Sequence, residues 1–252
     1  MSEQSQTLSV AEVGTVADER SIRSRLSPYI FRGMLVGMAA VAVALYRLTG
    51  NREITWRFAK ARARTLEWML GVRVRVHGLE RLDPAATYVF APNHQSHLDI
   101  VTLLAHLPGR TRFATKQELW RHPVVGAVLD TLGMVPVDRE HPERSVDVLN
   151  RASGRAESIV VFAEGTRSRD GRLLPFKKGA FVLAIASGLP IVPVTCVGTR
   201  RLMPKGSRLT VLAGPVDLYV HEPIPTAALT YDDREVLMER VRSAVEQKHT
   251  GA

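Results

Sequence analysis

The chain has 252 residues, a formal net charge of +9 and one cysteine, and about 45% of its residues are hydrophobic. This composition excludes a disordered chain and is typical of one substantial globular domain. The single cysteine, Cys196, excludes an intramolecular disulfide and disfavours a thiolate-rich metal site. The positive charge predicts an anionic partner, either a membrane surface, a phosphorylated substrate or a nucleic acid. No RNA-recognition or zinc-finger pattern is present, so no nucleic-acid partner is expected.

The N-terminal part of the chain predicts a polar tail followed by a helical hairpin. Residues 1–27 are polar and are expected to form a mobile tail. Residues 33–46 contain no charged side chain. Extended back to residue 29, this segment takes in Arg32 and reaches the short limit for a membrane-spanning helix, which needs about 17–25 residues. The segment is also consistent with a helix that enters one leaflet only.

Residues 53–70 predict a basic amphipathic helix. At about 100° per residue, one stripe contains Ile54, Phe58, Ala61, Thr65, Trp68 and Met69. Arg57, Lys60 and Arg64 flank that stripe. Two interpretations are open: contact with an anionic membrane interface, or packing against the chain's own domain with the basic side chains in water. The neighbouring apolar segment favours the membrane, so residues 28–70 are expected to attach the chain to it.

Residues 71–252 predict an α/β domain, because strand patterns alternate with helix patterns. Strands are predicted at residues 72–76, 87–91, 111–115, 134–137, 158–162, 191–196, 209–213 and 216–220. Helices are predicted at residues 100–107, 117–132, 142–157, 178–187 and 232–248. The expected architecture is a mixed, largely parallel sheet covered by helices on both faces, with the N-terminal hairpin appended.

Polar clusters follow four of the predicted strands. They lie at residues 93–99, at Lys116, at residues 138–139 and at residues 164–169. In an open α/β sheet, ligands bind outside the carboxyl ends of the strands. The four clusters therefore predict one site at that edge of the sheet.

The first cluster, NHQSHLD (residues 93–99), combines two histidines with a carboxylate. A histidine oriented by a carboxylate is the usual general base near neutral pH. His94 and Asp99 can meet if His94 lies in a loop and Asp99 lies in the first turn of a helix begun by Ser96. The same spacing is typical of a capping box, in which Asp99 satisfies only backbone N–H groups. The residues alone leave open a catalytic pair, a helix cap and a metal site, although no further cluster has ligand-like spacing.

Four blocks in order resemble the glycerolipid acyltransferase family, best known through the 1-acyl-sn-glycerol-3-phosphate acyltransferases. They are NHQSHLD (93–99); Lys116 to VDR (137–139); EGTR (164–167) with FKKG (176–179); and LPIVPV (189–194). The chain departs from the family pattern at two positions. Ala163 replaces the usual proline before EGTR, and His97 stands where the family often has a bulkier side chain.

The resemblance implies a role for each matching residue. His94 would act as the general base, and Asp99 would orient its ring. The positions that match the acceptor-binding residues of the family are Arg139, Glu164, Gly165, Thr166 and Arg167. Glu164 would bond an acceptor hydroxyl or hold an arginine, because a carboxylate does not bind an anion directly. Lys116 and Lys178 would contact an oxyanion or a phosphate, although solvated surface lysines fit the residues equally well.

The activity implied by the resemblance is acyl transfer from a thioester, acyl-CoA or acyl-carrier protein, to lysophosphatidic acid, giving phosphatidic acid. No metal or other cofactor is expected, and the partners are membrane lipids, the lysophospholipid acceptor and the thioester donor. Because that donor is intracellular, the expected location is the cytoplasmic face of the membrane. Two alternatives are another acceptor (a lysophospholipid, a glycolipid or glycerol-3-phosphate) and a non-catalytic lipid-binding module. A serine hydrolase is disfavoured, because the chain has no Gly-x-Ser-x-Gly elbow.

Overall fold

The computed structural model describes residues 10–137 and 157–249 and begins with a helical hairpin. Helix α1 covers Val10–Thr49 and helix α2 covers Arg52–Leu70. Gly50 turns the chain with a positive φ of 61°, and Asn51 caps α2 by accepting the N–H groups of Glu53 and Ile54. The prediction of a tail that ends at residue 27 is wrong for residues 10–27, which belong to α1.

A proline lies inside α1 and its missing hydrogen bond is replaced locally. Pro28 has no N–H group to donate to the carbonyl of Ser24, one turn earlier. The Ser27 hydroxyl donates to that carbonyl at 2.7 Å and accepts the backbone N–H of Val211 at 2.8 Å. Because Ser27 is buried, this hydroxyl fixes α1 to the body of the domain.

A seven-stranded sheet forms the centre of the described domain. Its strands are β1 Val72–His77, β2 Val89–Pro92, β3 Thr111–Lys116, β4 Val135–Val137, β5 Ser158–Val160, β6 Ile191–Val197 and β7 Gly214–Val220. Their spatial order is β1-β7-β6-β2-β5-β3-β4. Only the β6–β7 pair is antiparallel among these strands. The prediction of a mixed, largely parallel sheet is confirmed.

Five further α-helices connect or flank the described strands. They are α3 Leu98–His106, α4 Pro123–Thr131, α5 Gly179–Ser187, α6 Thr199–Leu202 and α7 Arg234–Glu246. The helix predicted at residues 117–132 is divided, because Pro123 starts α4 after a 3₁₀ turn at Gln117–Arg121. The helix predicted at residues 142–157 lies almost entirely outside the described residues.

The strand predicted at residues 209–213 is not formed. Arg208 and Leu209 both have a positive φ, 51° and 72°, which is incompatible with an extended strand. The backbone N–H groups that follow bond elsewhere: Leu212 donates to the carbonyl of Leu202 at 2.8 Å. The apolar composition of this segment serves burial of Val211 rather than strand pairing.

Helices cover both faces of the sheet, as predicted. On one face, α2 and α3 bury Trp56 and Leu103 against Phe90 of β2. On the other face, α5 and α7 bury Phe181 and Val241 against Val89. Val89 and Phe90 are neighbours in β2 and point to opposite faces, as alternation along a strand requires.

The orientation of α2 differs from the sequence-based expectation. Its buried face carries Trp56, Ala59, Ala63, Leu66 and Leu70, and these residues pack onto the domain. The stripe predicted to be apolar lies away from this face, with Trp68 78% exposed and Ile54 44% exposed. The packing interpretation therefore holds for one face of the helix, and membrane contact stays a prediction for the exposed face.

Two basic residues of α2 have a structural role. Lys60 Nζ donates to the carbonyls of Leu107 and Gly109, and Arg64 Nε donates to the carbonyl of Ala105 at 3.1 Å. These carbonyls lie at and just beyond the C-terminal end of α3, where the helix dipole favours positive charge. Lys60 and Arg64, which were predicted to flank the stripe, therefore cap α3.

The surface of α1 is apolar and largely open. Within the described residues, the segment from Ile22 to Thr49 is the one helix long and apolar enough to cross a membrane. Its exposed side chains include Leu35, Val36, Val41 and Leu48, which are 46%, 68%, 45% and 84% exposed. An exposed apolar surface of this extent on a monomer is typical of a contact with a membrane or a partner.

Candidate active site

The cluster around His94 lies in the loop between β2 and α3, residues 93–97, which we call the His94 loop. Its first residue is anchored to β6. The Asn93 side chain accepts the Cys196 N–H at 2.7 Å and donates to the Cys196 carbonyl at 3.1 Å. Asn93 is fully buried, so this two-way pairing fixes where the loop leaves the sheet.

His94 and Asp99 form the predicted pair. His94 Nδ1 lies 2.8 Å from Asp99 Oδ2, and that oxygen also accepts the N–H groups of Gln95 and Ser96 at 2.7 and 2.8 Å. Asp99 is fully buried in the first turn of α3. Its other oxygen, Oδ1, has no hydrogen-bond partner in the described part of the chain. The carboxylate therefore caps the loop and orients the histidine at the same time.

Ser96 supports the start of α3, as predicted, although the N-cap residue of this helix is the next residue, His97. The Ser96 hydroxyl accepts the Leu98 N–H at 3.1 Å and donates to the carbonyl of Met203 at 2.7 Å. Helix α3 begins at Leu98, and the cap residue, His97, makes no side-chain capping bond. Ser96 thus lets α3 begin early enough for Asp99 to reach His94.

The geometry assigns a tautomer to His94. A carboxylate only accepts hydrogen bonds, so Nδ1 carries the proton that it donates to Asp99. Nε2 is then a lone-pair acceptor, and it has no hydrogen-bond partner among the described residues. The ring stacks on Phe162, with centroids 3.8 Å apart and an interplanar angle of 20°. This arrangement is the one that a general base requires.

Glu164 bonds two backbone N–H groups, and it pairs with no arginine among the residues that the structure describes. Its Oε1 accepts the His94 N–H at 2.6 Å and its Oε2 accepts the Leu174 N–H at 2.8 Å. Burial raises the pKa of Glu164 to about 7, although those two N–H groups act in the opposite direction. The contact with Arg167 that the sequence suggested is not made. Glu164 instead fixes the loop of residues 164–174, the Glu164 loop, against the His94 loop.

Arg167 lies beside the His94–Asp99 pair. Desolvation lowers the pKa of the Arg167 guanidinium and the nearby Asp99 carboxylate raises it. Two bonds hold the backbone here: Lys205 Nζ donates to the Arg167 carbonyl at 3.0 Å, and Ser168 N donates to the His94 carbonyl at 2.9 Å. The half-buried guanidinium of Arg167 therefore places a positive charge near His94, and the Arg167 backbone is held in position.

The remaining residues of EGTR form the turn between Glu164 and Arg167. Gly165 has a positive φ of 66°, a conformation that favours glycine, and Thr166 is exposed. His97 is a further neighbour of the pair. Desolvation lowers its pKa, and the charges of Arg167 and His94 lower it further. Unlike His94, His97 has no carboxylate bonded to its ring in the described structure.

The predicted basic residues outside EGTR are not all gathered around His94. Lys116 is exposed at the end of β3 and pairs with Glu118 at 3.1 Å. Lys178 is exposed at the start of α5. Arg139 lies outside the described residues. Within the described ranges, no group of three His, Cys, Asp or Glu side chains could hold a metal ion.

Cys196 is a core residue, as the apolar strand around it predicted. Burial raises the pKa of its thiol well above the usual range, and the charges of Asp99 and Glu164 raise it further. The thiolate that nucleophilic catalysis needs is therefore disfavoured. Sequence reasoning missed its actual contribution, which is the backbone pairing with Asn93.

Known proteins are similar in sequence to this chain. Residues 73–197 match the family model described as Acyltransferase. A chloroplastic 1-acyl-sn-glycerol-3-phosphate acyltransferase of Brassica napus is 43% identical over 220 residues, which cover 82% of this chain and 63% of that protein. The human 1-acyl-sn-glycerol-3-phosphate acyltransferase alpha is 30% identical over 219 residues, covering 85% of this chain and 77% of that protein.

A solved structure is also similar to this chain over most of its length. The crystal structure of the 1-acyl-sn-glycerophosphate acyltransferase PlsC from Thermotoga maritima superposes with a TM-score of 0.76 at 27% identity. It matches 90% of this chain and 95% of that one. The chain spans about two thirds of the length of the plant relative described above. With the His94–Asp99 pair and the EGTR turn assembled on the same fold, this chain belongs to the acyltransferase family that includes the 1-acyl-sn-glycerol-3-phosphate acyltransferases.

Proposed function

We propose that the chain transfers a fatty acyl group from a thioester to the free hydroxyl of lysophosphatidic acid, giving phosphatidic acid. The observation that carries this proposal is the His94–Asp99 pair, in which Nδ1 is bonded at 2.8 Å and Nε2 is left open. The printed names of the plant, human and bacterial relatives support the choice of acceptor. A purely lipid-binding module would have no need of an oriented base.

The chemical step is a direct transfer. His94 Nε2 takes the proton of the acceptor hydroxyl while the hydroxyl oxygen attacks the thioester carbonyl carbon. A new C–O bond forms, which gives a tetrahedral intermediate. The tetrahedral intermediate then breaks its C–S bond, and the leaving thiolate receives the proton from Nε2. Asp99 stabilises the imidazolium that exists between these two events. No acyl-enzyme and no metal or cofactor is part of this proposal.

Charge on the substrates is matched by basic residues near the pair. Arg167 contacts the acceptor phosphate, because a guanidinium forms two parallel bonds to phosphate oxygens. By family resemblance, Arg139 contributes to the same anion, and Gly165 and Thr166 shape the turn that presents Arg167. Lys116 and Lys178, both exposed, contact a phosphate of the donor. Acyl-CoA and acyl-carrier protein are both candidate donors.

The acceptor reaches the site from a membrane. The exposed apolar side chains of α1, with the exposed Trp68 and Ile54 of α2, contact the lipid. Tryptophan at the edge of such a surface is typical of a membrane interface. Because thioester donors are made inside cells, the domain lies on the cytoplasmic face. The apolar helix enters one leaflet in this proposal.

An acyl-transfer assay on the purified chain tests the proposal. The chain is mixed with acyl-CoA or acyl-carrier protein and with one of three acceptors: lysophosphatidic acid, lysophosphatidylcholine or glycerol-3-phosphate. The expected result is the highest kcat/KM for lysophosphatidic acid. A higher kcat/KM for either other acceptor would overturn the acceptor assignment. Absence of transfer to all three acceptors with both donors would overturn the enzymatic proposal.

A further inference from the structure

The C-terminal part of the described chain reaches back to the site. Helix α7 ends at Glu246, and the turn after it continues to His249, whose N–H donates to the Val245 carbonyl at 3.1 Å. That carbonyl also accepts the Thr195 hydroxyl at 3.2 Å, so the turn is fixed to β6. His249 is thereby placed next to Asn93, although the two residues are 156 positions apart.

The ring of His249 touches both loops of the site. Nε2 lies 2.9 Å from the carbonyl of Gly171 in the Glu164 loop. Nδ1 lies 3.5 Å from the Asn93 amide nitrogen, and Nε2 lies 3.5 Å from the Gln95 amide nitrogen. Asn93 and Gln95 are the two neighbours of His94 in sequence. His249 therefore contacts the residue on each side of the base.

One tautomer satisfies two of these contacts as hydrogen bonds, those with Gly171 and Asn93. A carbonyl only accepts, so Nε2 carries the proton and donates it to Gly171. Nδ1 is then the acceptor for the Asn93 amide. Gln95 Nε2 also donates to the Gly171 carbonyl, at 3.1 Å, so two side chains converge on one oxygen. Gly171 is buried and turns the loop with a φ of 87°.

We propose that His249 is a positioning residue: it sets the spacing between the His94 loop, which holds the base, and the Glu164 loop, which holds Arg167. The inference rests on the proposed function. His249 lies outside the residues that match the family model, 73–197, so family membership does not assign it. A displacement of about 1 Å between a base and its substrate costs roughly 100-fold in rate, so such a tether affects turnover.

Matched variants separate positioning from packing. His249→Phe keeps a flat ring and removes both polar atoms. His249→Gln puts an amide nitrogen near the position of Nε2 and keeps an acceptor oxygen. Lys248→Ala is the control, because Lys248 neighbours His249 but lies over the ring of Tyr219, away from both loops. Each variant is compared with wild type by steady-state kinetics and by thermal unfolding.

The expected kinetic result is a loss of about tenfold in kcat for His249→Phe, with the acceptor KM changed less than about twofold. His249→Gln should keep kcat within about threefold of wild type, and Lys248→Ala should match wild type. All three should keep the wild-type Tm within about 2 °C. Wild-type kcat in His249→Phe would overturn the inference. The inference would also be overturned if kcat fell in His249→Phe together with its Tm, and if His249→Gln did not restore kcat.

A second readout needs no turnover and distinguishes this inference from the proposed function. The Cε1–H NMR signal of His94, assigned with His94→Gln, reports the surroundings of its ring. The chemical shift of this signal should differ from the wild-type value in His249→Phe and equal the wild-type value in Lys248→Ala. If the wild type transfers no acyl group yet this shift appears, the tether stands and the proposed function fails. An unchanged His94 signal in His249→Phe would overturn the tether, whatever the activity.

Discussion

The backbone N–H of His94 donates to Glu164 Oε1 at 2.6 Å, which joins two sequence motifs 70 positions apart. The other oxygen of the same carboxylate accepts the N–H of Leu174 at 2.8 Å. The acidic residue of EGTR thus supports the site from behind, through backbone N–H groups. Asp99 likewise accepts backbone N–H groups of the His94 loop, so two buried carboxyl groups fix the position of His94.

The first prediction concerns the pH dependence of stability through Glu164. Its pKa is raised to about 7 in the folded chain, above the ordinary value of 4.5. Protonation is therefore favoured by folding, so its contribution to stability is fully present below pH 4.5. That contribution is lost as pH rises through about 7. Each pKa unit corresponds to about 1.4 kcal/mol, so the difference between 4.5 and about 7 gives a total change on the order of 3–4 kcal/mol.

Urea unfolding at pH 5 and pH 8 measures this change. Wild type should lose more of its unfolding free energy between the two values than Glu164→Gln, which cannot ionise at this position. Glu222→Gln is the matched control, since Glu222 is exposed and pairs with Arg81 at the surface. Identical pH profiles for wild type and Glu164→Gln would contradict the raised pKa.

The second prediction concerns the acceptor phosphate. Arg167→Ala should raise the KM for lysophosphatidic acid at least about tenfold, because a charge-assisted hydrogen bond contributes about 1.5–3 kcal/mol. The KM for monoacylglycerol, which carries no phosphate, should stay close to that of wild type. Arg172→Ala serves as the control from the same loop, since its side chain is 88% exposed. Equal losses with both acceptors would show that Arg167 does not bind the phosphate.

The third prediction concerns the membrane surface of α1. Deleting residues 1–70 is an unsuitable test, because it would remove Trp56 and Ala59 from the core. The double substitution of Val36 and Val41 by Asp leaves the core intact and places two charges on the exposed helix face. Each charge costs about 2.5–3.5 kcal/mol at the centre of a membrane helix, so binding to vesicles should fall more than about 100-fold.

Flotation with anionic vesicles measures this binding. Val236→Asp is the matched control, since Val236 is 65% exposed on α7 and lies outside the proposed surface. It should float like wild type. Undiminished flotation of the double variant would mean that the chain attaches to lipid through another surface.

The sequence predicted the parts of the structure that depend on local pattern. Alternating strand and helix patterns identified the sheet and its two covered faces, because burial on both sides makes strands apolar throughout. The spacing from His94 to Asp99 identified the pair, because a helix begun at Ser96 brings them together. Of its three open interpretations, the pairing with His94 and the cap are compatible, since one oxygen of Asp99 bonds the His94 ring and two backbone N–H groups.

What the sequence did not predict depends on contacts between distant residues. Glu164 bonds backbone groups, and backbone groups carry no residue-type signal. Lys60 and Arg64 look like a membrane-facing charge pattern until the end of α3 is placed beside them. His249 lies 55 residues beyond the end of the last motif at residue 194, so only the packing of α7 on β6 brings it to the site.

The central claim is that His94 is the general base, and one kinetic comparison tests it most directly. Turnover of His94→Ala is measured beside wild type and His97→Ala with lysophosphatidic acid and a saturating thioester donor. A positioned general base contributes about 100- to 10,000-fold, so kcat of His94→Ala should fall at least about 100-fold with its Tm maintained. His97→Ala should lose less than about tenfold, because no carboxylate orients that ring. Near-wild-type turnover in His94→Ala, or an equal loss in both variants, would contradict the account.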